Sequence, residues 1–330
     1  MSVTSRPAPA AAENGRSAGG RSVDGASDRV RVITPQVRVL PRIADIWAYR
    51  ELLLSLVRKE LTVKYNSSFL GMLWSMLNPA FTLGIYYFVF QIVLHSGITD
   101  FAIFLMSGLL AYNLFSYSLM NATGTMVGNA GIVKKVAFPR EILPLASVGA
   151  GIVFFFFQSL VLLIVLVAAR YLPGVRYLPE LIPAFVALVI LCAALAVLLS
   201  AVNVYLRDTQ HFVELIVGAA WFWATPIVYS YQQISSELAK HHLPTWLPCI
   251  NPLTDIVLVF QRAIYAKVYG GKVASGSLTK VPLSSRQLLP QAGEWWYLWH
   301  VLIVLGAAVV LVGAALAVFA RLEGNFAEEL

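Results

Sequence analysis

Lys134, Lys135, Arg140 and Glu141 fall close together in the segment NAGIVKKVAFPRE at 129–141. Arg207, Asp208 and His211 fall equally close in NVYLRDTQHF at 203–212. Each segment is short, mixes charge with apolar residues and adjoins a long apolar run. Such segments suit short helices lying across the ends of those runs, with charges placed to select and orient a partner. The plain alternative is that the cations only set the orientation of a membrane protein. A third set, Arg50, Arg58, Lys59 and Lys64, lies on DIWAYRELLLSLVRKELTVKYN at 45–66. There Leu53, Leu56, Val57 and Leu61 recur at helical spacing, with Ser55, Arg58, Lys59 and Thr62 opposite, the pattern of a helix in the bilayer interface. A packed helix outside the membrane is the competing reading.

A fourth set is aromatic: Trp74, Tyr86, Tyr87, Phe88 and Phe90 in one apolar run, Trp221, Phe222, Trp223, Tyr229 and Tyr231 in or beside another. Rings can bear a polar chain, sugars included, without gripping it through strong hydrogen bonds. An interfacial belt of Trp and Tyr would account for about half of them. Tyr86 and Tyr87, near mid-depth, are the better channel candidates, followed by Trp74, Phe90, Trp221, Phe222, Trp223 and Tyr229.

None of these sets is catalytic. Glu214 and His300 sit near the ends of apolar runs, and almost no other ionisable residue lies inside one. Ion-coupled carriers need buried titratable groups at mid-depth, and a membrane hydrolase or transferase needs paired carboxylates. Gly271-Lys272 is followed by Val273 and preceded by Ala266 where a phosphate-binding loop needs Gly, so no nucleotide site exists. If the chain moves a solute uphill, the energy comes from a separate subunit, for which 129–141 and 203–212 are the docking candidates. Cys192 and Cys249 form no metal or redox motif, and nothing completes a site around His241-His242. The chain is therefore expected to hold no cofactor and no metal.

The elements that must carry these residues follow from composition. Of 330 residues 58% are hydrophobic and 12% charged, about half the charge of a soluble domain. That excludes a cytosolic enzyme and a disordered protein. The net charge of +7 is not the mark of nucleic-acid binding, since 11 of 24 Lys and Arg precede residue 70, ahead of the first long apolar run. Six apolar runs, at about 71–95, 102–126, 142–169, 180–202, 212–230 and 297–320, each approach the roughly 20 residues that cross a bilayer. Pro79 and Pro144 stand near run starts, Pro226 should kink or end the fifth helix just before it, and Gly124-x-x-x-Gly128 suggests close helix packing. Residues 252–266, too short to span, are expected to be re-entrant or interfacial, with Pro252 at the first helical position. The prediction is an all-α polytopic membrane protein. It comprises a disordered tail at 1–34, a cytoplasmic segment at 35–68 with the interfacial amphipathic helix, and a six-span domain at 69–330 with re-entrant outer helices between spans five and six. Lys and Arg in the short loops place both termini on the cytoplasmic side.

VRKELTVKYNSSFLGMLWSMLNPAF at 57–81, GNAGIVKKVAFPREILPL at 128–145, LLSAVNVYLRDTQHF at 198–212, ATPIVY at 224–229, NPLTDIVLVFQRAIY at 251–265 and RLEGNFAEEL at 321–330 together resemble the ABC-2 type permeases that export polysaccharides, the Wzm and teichoic-acid translocation subunits. The resemblance covers about 45–330. It implies a homodimer in the bacterial inner membrane, two copies of a separate ATPase that binds ATP and Mg, and a glycan on a polyprenyl-pyrophosphate lipid of O-antigen, teichoic-acid or galactan type. It maps coupling onto Lys134, Lys135, Arg140, Glu141, Arg207, Asp208 and His211, and a cytoplasmic entrance onto the helix carrying Arg50, Arg58, Lys59 and Lys64, where guanidinium and ammonium groups can meet pyrophosphate. The tail 1–34 and the polar stretch 267–294 are longer than the pattern. A drug- or lipid-efflux permease of the same superfamily and a membrane-embedded glycosyltransferase are the alternatives.

Overall fold

The computed structural model describes residues 39–65, 71–268 and 287–330, and these are helices and their connections. The predicted tail 1–34, the Gly271-Lys272 pair and most of the 267–294 stretch lie outside the described residues. Helices α1 (Val39–Ala48) and α2 (Arg50–Tyr65) run almost end to end, since Tyr49 N still donates to Asp45 O and Leu53 N to Tyr49 O, each at 3.1 Å. After a 3-10 turn, α3 (Trp74–Tyr86) continues as a π-helix to Val93. Next come α4 (Phe101–Gly128), the single turn α5 (Ala130–Val133), α6 (Ile142–Ala168) and α7 (Leu181–Tyr205). α8 (Thr209–Leu215) passes through a π-helical stretch into α9 (Trp221–Ala224). α10 (Tyr231–Lys240), α11 (Pro252–Phe260), α12 (Glu294–Leu322) and α13 (Phe326–Glu329) complete the chain.

Among the described residues, five helical segments are long and apolar enough to cross a membrane: Met76–Val93, Phe101–Gly128, Ile142–Ala168, Val175–Tyr205 and Glu294–Asn325. The α8–α9 unit, Thr209–Ala224, is shorter: at 1.5 Å per residue it spans about 24 Å against about 30 Å of hydrocarbon. Its end is where Pro226 predicts it, because the preceding Thr225 is extended (φ −108°, ψ 134°) and a residue before proline avoids helical dihedrals.

α4 is the central helix, packed against α6, α7, α11 and the π-helical extension of α11. α12 lies along α7. Gly151 lets α6 approach α4, since a Cβ there would stand 2.7 Å from Ser118 Oγ. The expected Gly124–Gly128 packing pair does not form: Gly124 faces the Gln210 side chain and Gly128 open space, because α4 ends at Gly128. Pro79 also departs from expectation. The helix begins at Trp74, so the proline stands inside it and removes one backbone donor. Pro144 lies in the first turn of α6, where that loss is harmless.

Two predicted elements find their places by burial. The stripe Leu53, Leu56, Val57 and Leu61 seats α2 on Ala146, Ala150 and Phe154 of α6, with Val57 9% exposed. On the flanks of that stripe Leu54 and Val63 are largely exposed, so α2 is both a packed helix and one with apolar surface left uncovered. α11 starts at Pro252 with the Asn251 side chain accepting from Leu253 N. Its residues from Leu253 to Phe260 are buried against α4, α7 and α12, as required of a short segment that does not span.

Candidate functional site

The two charged segments come together at one end of the bundle. Met126 at the end of α4, Val133 of α5, Leu143 of α6, Val204 of α7, Phe319 of α12 and Phe326 of α13 share one buried apolar cluster. Above it Lys134, Lys135 and Val136 are exposed, as are Leu206, Arg207, Asp208, His211 and Phe212. Val133 is buried and anchors its turn, so the two lysines project from a fixed base. Across the gap, Gln210 N donates to Asn203 Oδ1 at 3.1 Å and its side chain to Glu214 at 3.1 Å, which holds the first turn of α8. The result is a surface with exposed cations, the exposed carboxylates of Asp208 and Glu214, and apolar residues between them.

Arg140 and Glu141 do something different from their sequence neighbours. Glu141 is 2% exposed and ion-paired to Arg42 of α1; burial pushes its carboxyl above the usual range. Arg42 also reaches Glu323 at 2.7 Å, Arg140 donates to the Glu323 carbonyl at 2.9 Å, and the Arg140 guanidinium lies 5.9 Å from the Phe326 ring. Tyr205 O–H donates to Leu322 O at 2.8 Å. α1, the start of α6 and the turn after α12 are thereby clamped beneath the exposed lysines. Sequence reasoning missed Arg42 and Glu323, because no short-range spacing links residues so far apart; the RLEGNF motif was the available signal.

The cations of α2 also divide. Lys59 donates to Asn129 Oδ1 at 3.2 Å, and the Lys64 ammonium lies 4.4 Å from the ring centres of both Tyr117 and Phe154. Burial against those rings lowers the Lys64 pKa, partly offset by Glu60. Arg50 and Arg58 are exposed.

Of the aromatic set, Tyr86 stacks on Phe222 (ring centres 5.8 Å apart) and neighbours Phe90 (6.2 Å), and Phe90 stacks on Phe101 (6.0 Å). Phe222 is buried, in edge contact with Tyr112 at 5.1 Å, while Trp221 meets Phe115 at 5.0 Å and donates to Asn251 Oδ1 at 2.9 Å. These rings join α3, α4 and α9, and Trp221 also borders a cavity. Trp74, Tyr87 and Trp223 stay exposed. Trp221, Trp223 and Tyr229 border an apolar cavity of about 870 Å³ between α9, α10 and the start of α11. Among the described residues no three His, Cys, Asp or Glu side chains converge as metal ligands.

Comparison with known proteins places this geometry. The family described as "ABC-2 type transporter" matches residues 51–265, from α2 through the end of α11's π-helical extension. The O-antigen export system permease protein RfbA of Myxococcus xanthus is 31% identical over 224 residues, covering 68% of this chain and 84% of that protein. A protein of the same name from Klebsiella pneumoniae is 28% identical over 280 residues, 85% of this chain and 95% of its own length. The polysialic acid transport protein KpsM of Escherichia coli is 22% identical over 213 residues, 64% of this chain and 80% of that protein.

Proposed function

The chain belongs to the ABC-2 type transporter family, and from that premise we propose that it is the membrane permease of an ATP-driven exporter of polysaccharide carried on a lipid. The observation that carries the reading is the exposed, rigidly based pair of segments at one end of the bundle, in a chain whose relatives are O-antigen and polysialic acid transporters. The chain is not itself the ATPase; a separate nucleotide-hydrolysing subunit, in two copies on a homodimer of this chain, supplies the energy. Lys134, Lys135, Arg207, Asp208 and His211 meet that subunit, while Arg140 and Glu141 brace them from below. The α2 end is cytoplasmic, both termini lie on that side, and α8–α9 serves as the shortened fifth of six spans in the bacterial inner membrane. The substrate is a glycan on a polyprenyl pyrophosphate, which enters beside α2.

The test is depletion of the chain in its own cell. Lipid-linked glycan should accumulate at the cytoplasmic leaflet while synthesis continues and drug susceptibility stays unchanged. Normal surface glycan in depleted cells overturns the proposal, and altered drug accumulation with normal glycan favours the efflux reading.

A further inference from the structure

Along α4, Asn113, Tyr117, Asn121, Thr125 and Asn129 recur at every fourth position, the last as its C-cap. Residues four apart share a helix face, so these form a single polar stripe about 24 Å long on a helix otherwise packed in apolar contact. On α3, Trp74, Asn78 and Thr82 repeat the same spacing. The two stripes border one groove. Its lower part, about 420 Å³, has Lys59, Glu60 and Lys64 of α2 among its walls together with Thr125 and Asn129. Its upper part, about 480 Å³, is lined by Trp74, Asn78 and Thr82 with Asn113 and, from α6, Gln158. Lys64, Tyr117 and Asn121 line both parts, which makes them continuous.

Carboxamides between membrane helices have one ordinary use, bonding helix to helix. The Asn113–Gln158 bond, 3.0 Å, is of that kind. Asn129 likewise accepts from Lys59 of α2 at 3.2 Å, but Asn121 donates to the carbonyl of Tyr117 on its own helix, and among the described residues Asn78 and Thr82 bond to no other helix. Polar groups at such depth are costly unless something uses them. Neutral amides and hydroxyls both donate and accept, the chemistry that matches sugar hydroxyls. Trp74 offers a face for a pyranose ring. Two ammonium groups against the single Glu60 carboxyl leave the α2 end positive, which suits phosphate.

We propose that this groove, rather than the aromatic face of α3 and α9, holds the sugar–phosphate head of the lipid substrate, with the phosphate at Lys59 and Lys64 and the first sugars along Asn121, Asn78, Asn113 and Gln158. The proposal rests on the export reading above and adds to it a place. The test uses the full chain in lipid nanodiscs and a polyprenyl-pyrophosphate disaccharide bearing a diazirine on its outer sugar, with labelled peptides mapped by mass spectrometry. Labels should fall on 74–82 and 113–129 and be competed by unlabelled disaccharide lipid. Sugar-free polyprenyl phosphate should compete partly, through the lysine end, and phosphatidylglycerol should not compete. Asn121→Leu with Asn78→Leu should cut labelling about tenfold or more, as loss of two hydrogen bonds would. The single Lys64→Gln change at an exposed position gives a second reading should that pair fail to fold: it should abolish competition by the sugar-free phosphate. Labelling confined to α9 and α10, or equal competition by phosphatidylglycerol, overturns the groove and leaves export standing. No labelling anywhere on the chain overturns both.

Discussion

The two ends of the bundle treat their charges in opposite ways. At the α2 end, Lys134, Lys135, Arg207 and Asp208 are exposed over a packed base. At the far end several charges among the described residues are paired within the chain. Arg262, in the π-helical extension of α11, donates to Ala266 O at 2.7 Å and to Tyr177 O–H at 2.8 Å, and its guanidinium lies 4.2 Å from the Tyr177 ring centre. Arg176 pairs with Glu294, Lys267 with Asp100, and Tyr265 O–H donates to Thr99 O at 2.7 Å. One end ties its charges across the short helices that close it, while the other presents Lys134, Lys135, Arg207 and Asp208 outward above its own clamp. That asymmetry is what a transporter driven from one side needs.

The largest effect should come from reversing the presented charge. Lys134→Glu with Lys135→Glu is expected to weaken assembly with the ATPase at least 100-fold, since like charges placed together at an interface cost several kcal/mol. The check is co-purification and substrate-stimulated hydrolysis, with thermal stability of the isolated chain unchanged because both side chains are exposed. An intact complex with normal hydrolysis would reduce the lysines to signals of orientation.

Next is the clamp beneath them. Arg42→Gln leaves Glu141 buried without its cation, a loss of about 3 kcal/mol, lowered somewhat because Arg42 is partly exposed. The sign with pH follows from the raised Glu141 carboxyl. A folded state that holds the proton more tightly than the unfolded state gains stability as pH falls. The Arg42→Gln variant should thus recover melting temperature as pH falls from neutral toward the ordinary carboxylate range, and Arg42→Gln with Glu141→Gln should be flat over that window. A pH-independent Arg42→Gln deficit would mean that the loss is packing alone.

The far end should behave conversely. Arg262→Ala removes two hydrogen bonds and a ring contact, about 2 kcal/mol in all, and should lower the melting temperature while ATPase assembly stays normal. Weakened assembly in this variant would break the comparison, because it would tie the sealed end to the docking end.

How much of this was legible in the residues follows from range. Periodicity was enough for the long helices and for the stripe that seats α2, because each depends on neighbours within a turn or two. Proline chemistry located the end of α9 and the start of α11. What could not be read was pairing across the fold: Arg42 with Glu141 and Glu323, or Val57 against Gly149, where a Cβ would stand 2.6 Å from a valine methyl. The aromatic set was visible as composition, yet only packing shows that Tyr86, Phe90 and Phe222 join helices. The fourfold polar repeat on α4 was there to be found in the sequence; a search for charge and rings passes over neutral amides.

The smallest predicted effect separates the cations of α2, which sequence placed in one group. All four are exposed, but Lys59 bonds Asn129 and Lys64 lies over Tyr117 and Phe154, while Arg50 and Arg58 have no such partner among the described residues. An exposed cation near anionic lipid contributes about 1 kcal/mol of membrane attraction and is replaceable by any other. Arg50→Gln with Arg58→Gln should therefore lower affinity for anionic vesicles by roughly tenfold at most, screened by salt, and leave the export rate near normal. Lys59→Gln with Lys64→Gln should do the reverse, cutting export with membrane insertion and dimer yield unchanged, because the two ammonium groups face a groove that lipid attraction alone does not require. Export assays on inverted vesicles at two salt concentrations decide between them. If both pairs slow export equally and salt erases the difference, α2 acts as a charged anchor along its whole length, and the head group is recognised on another element.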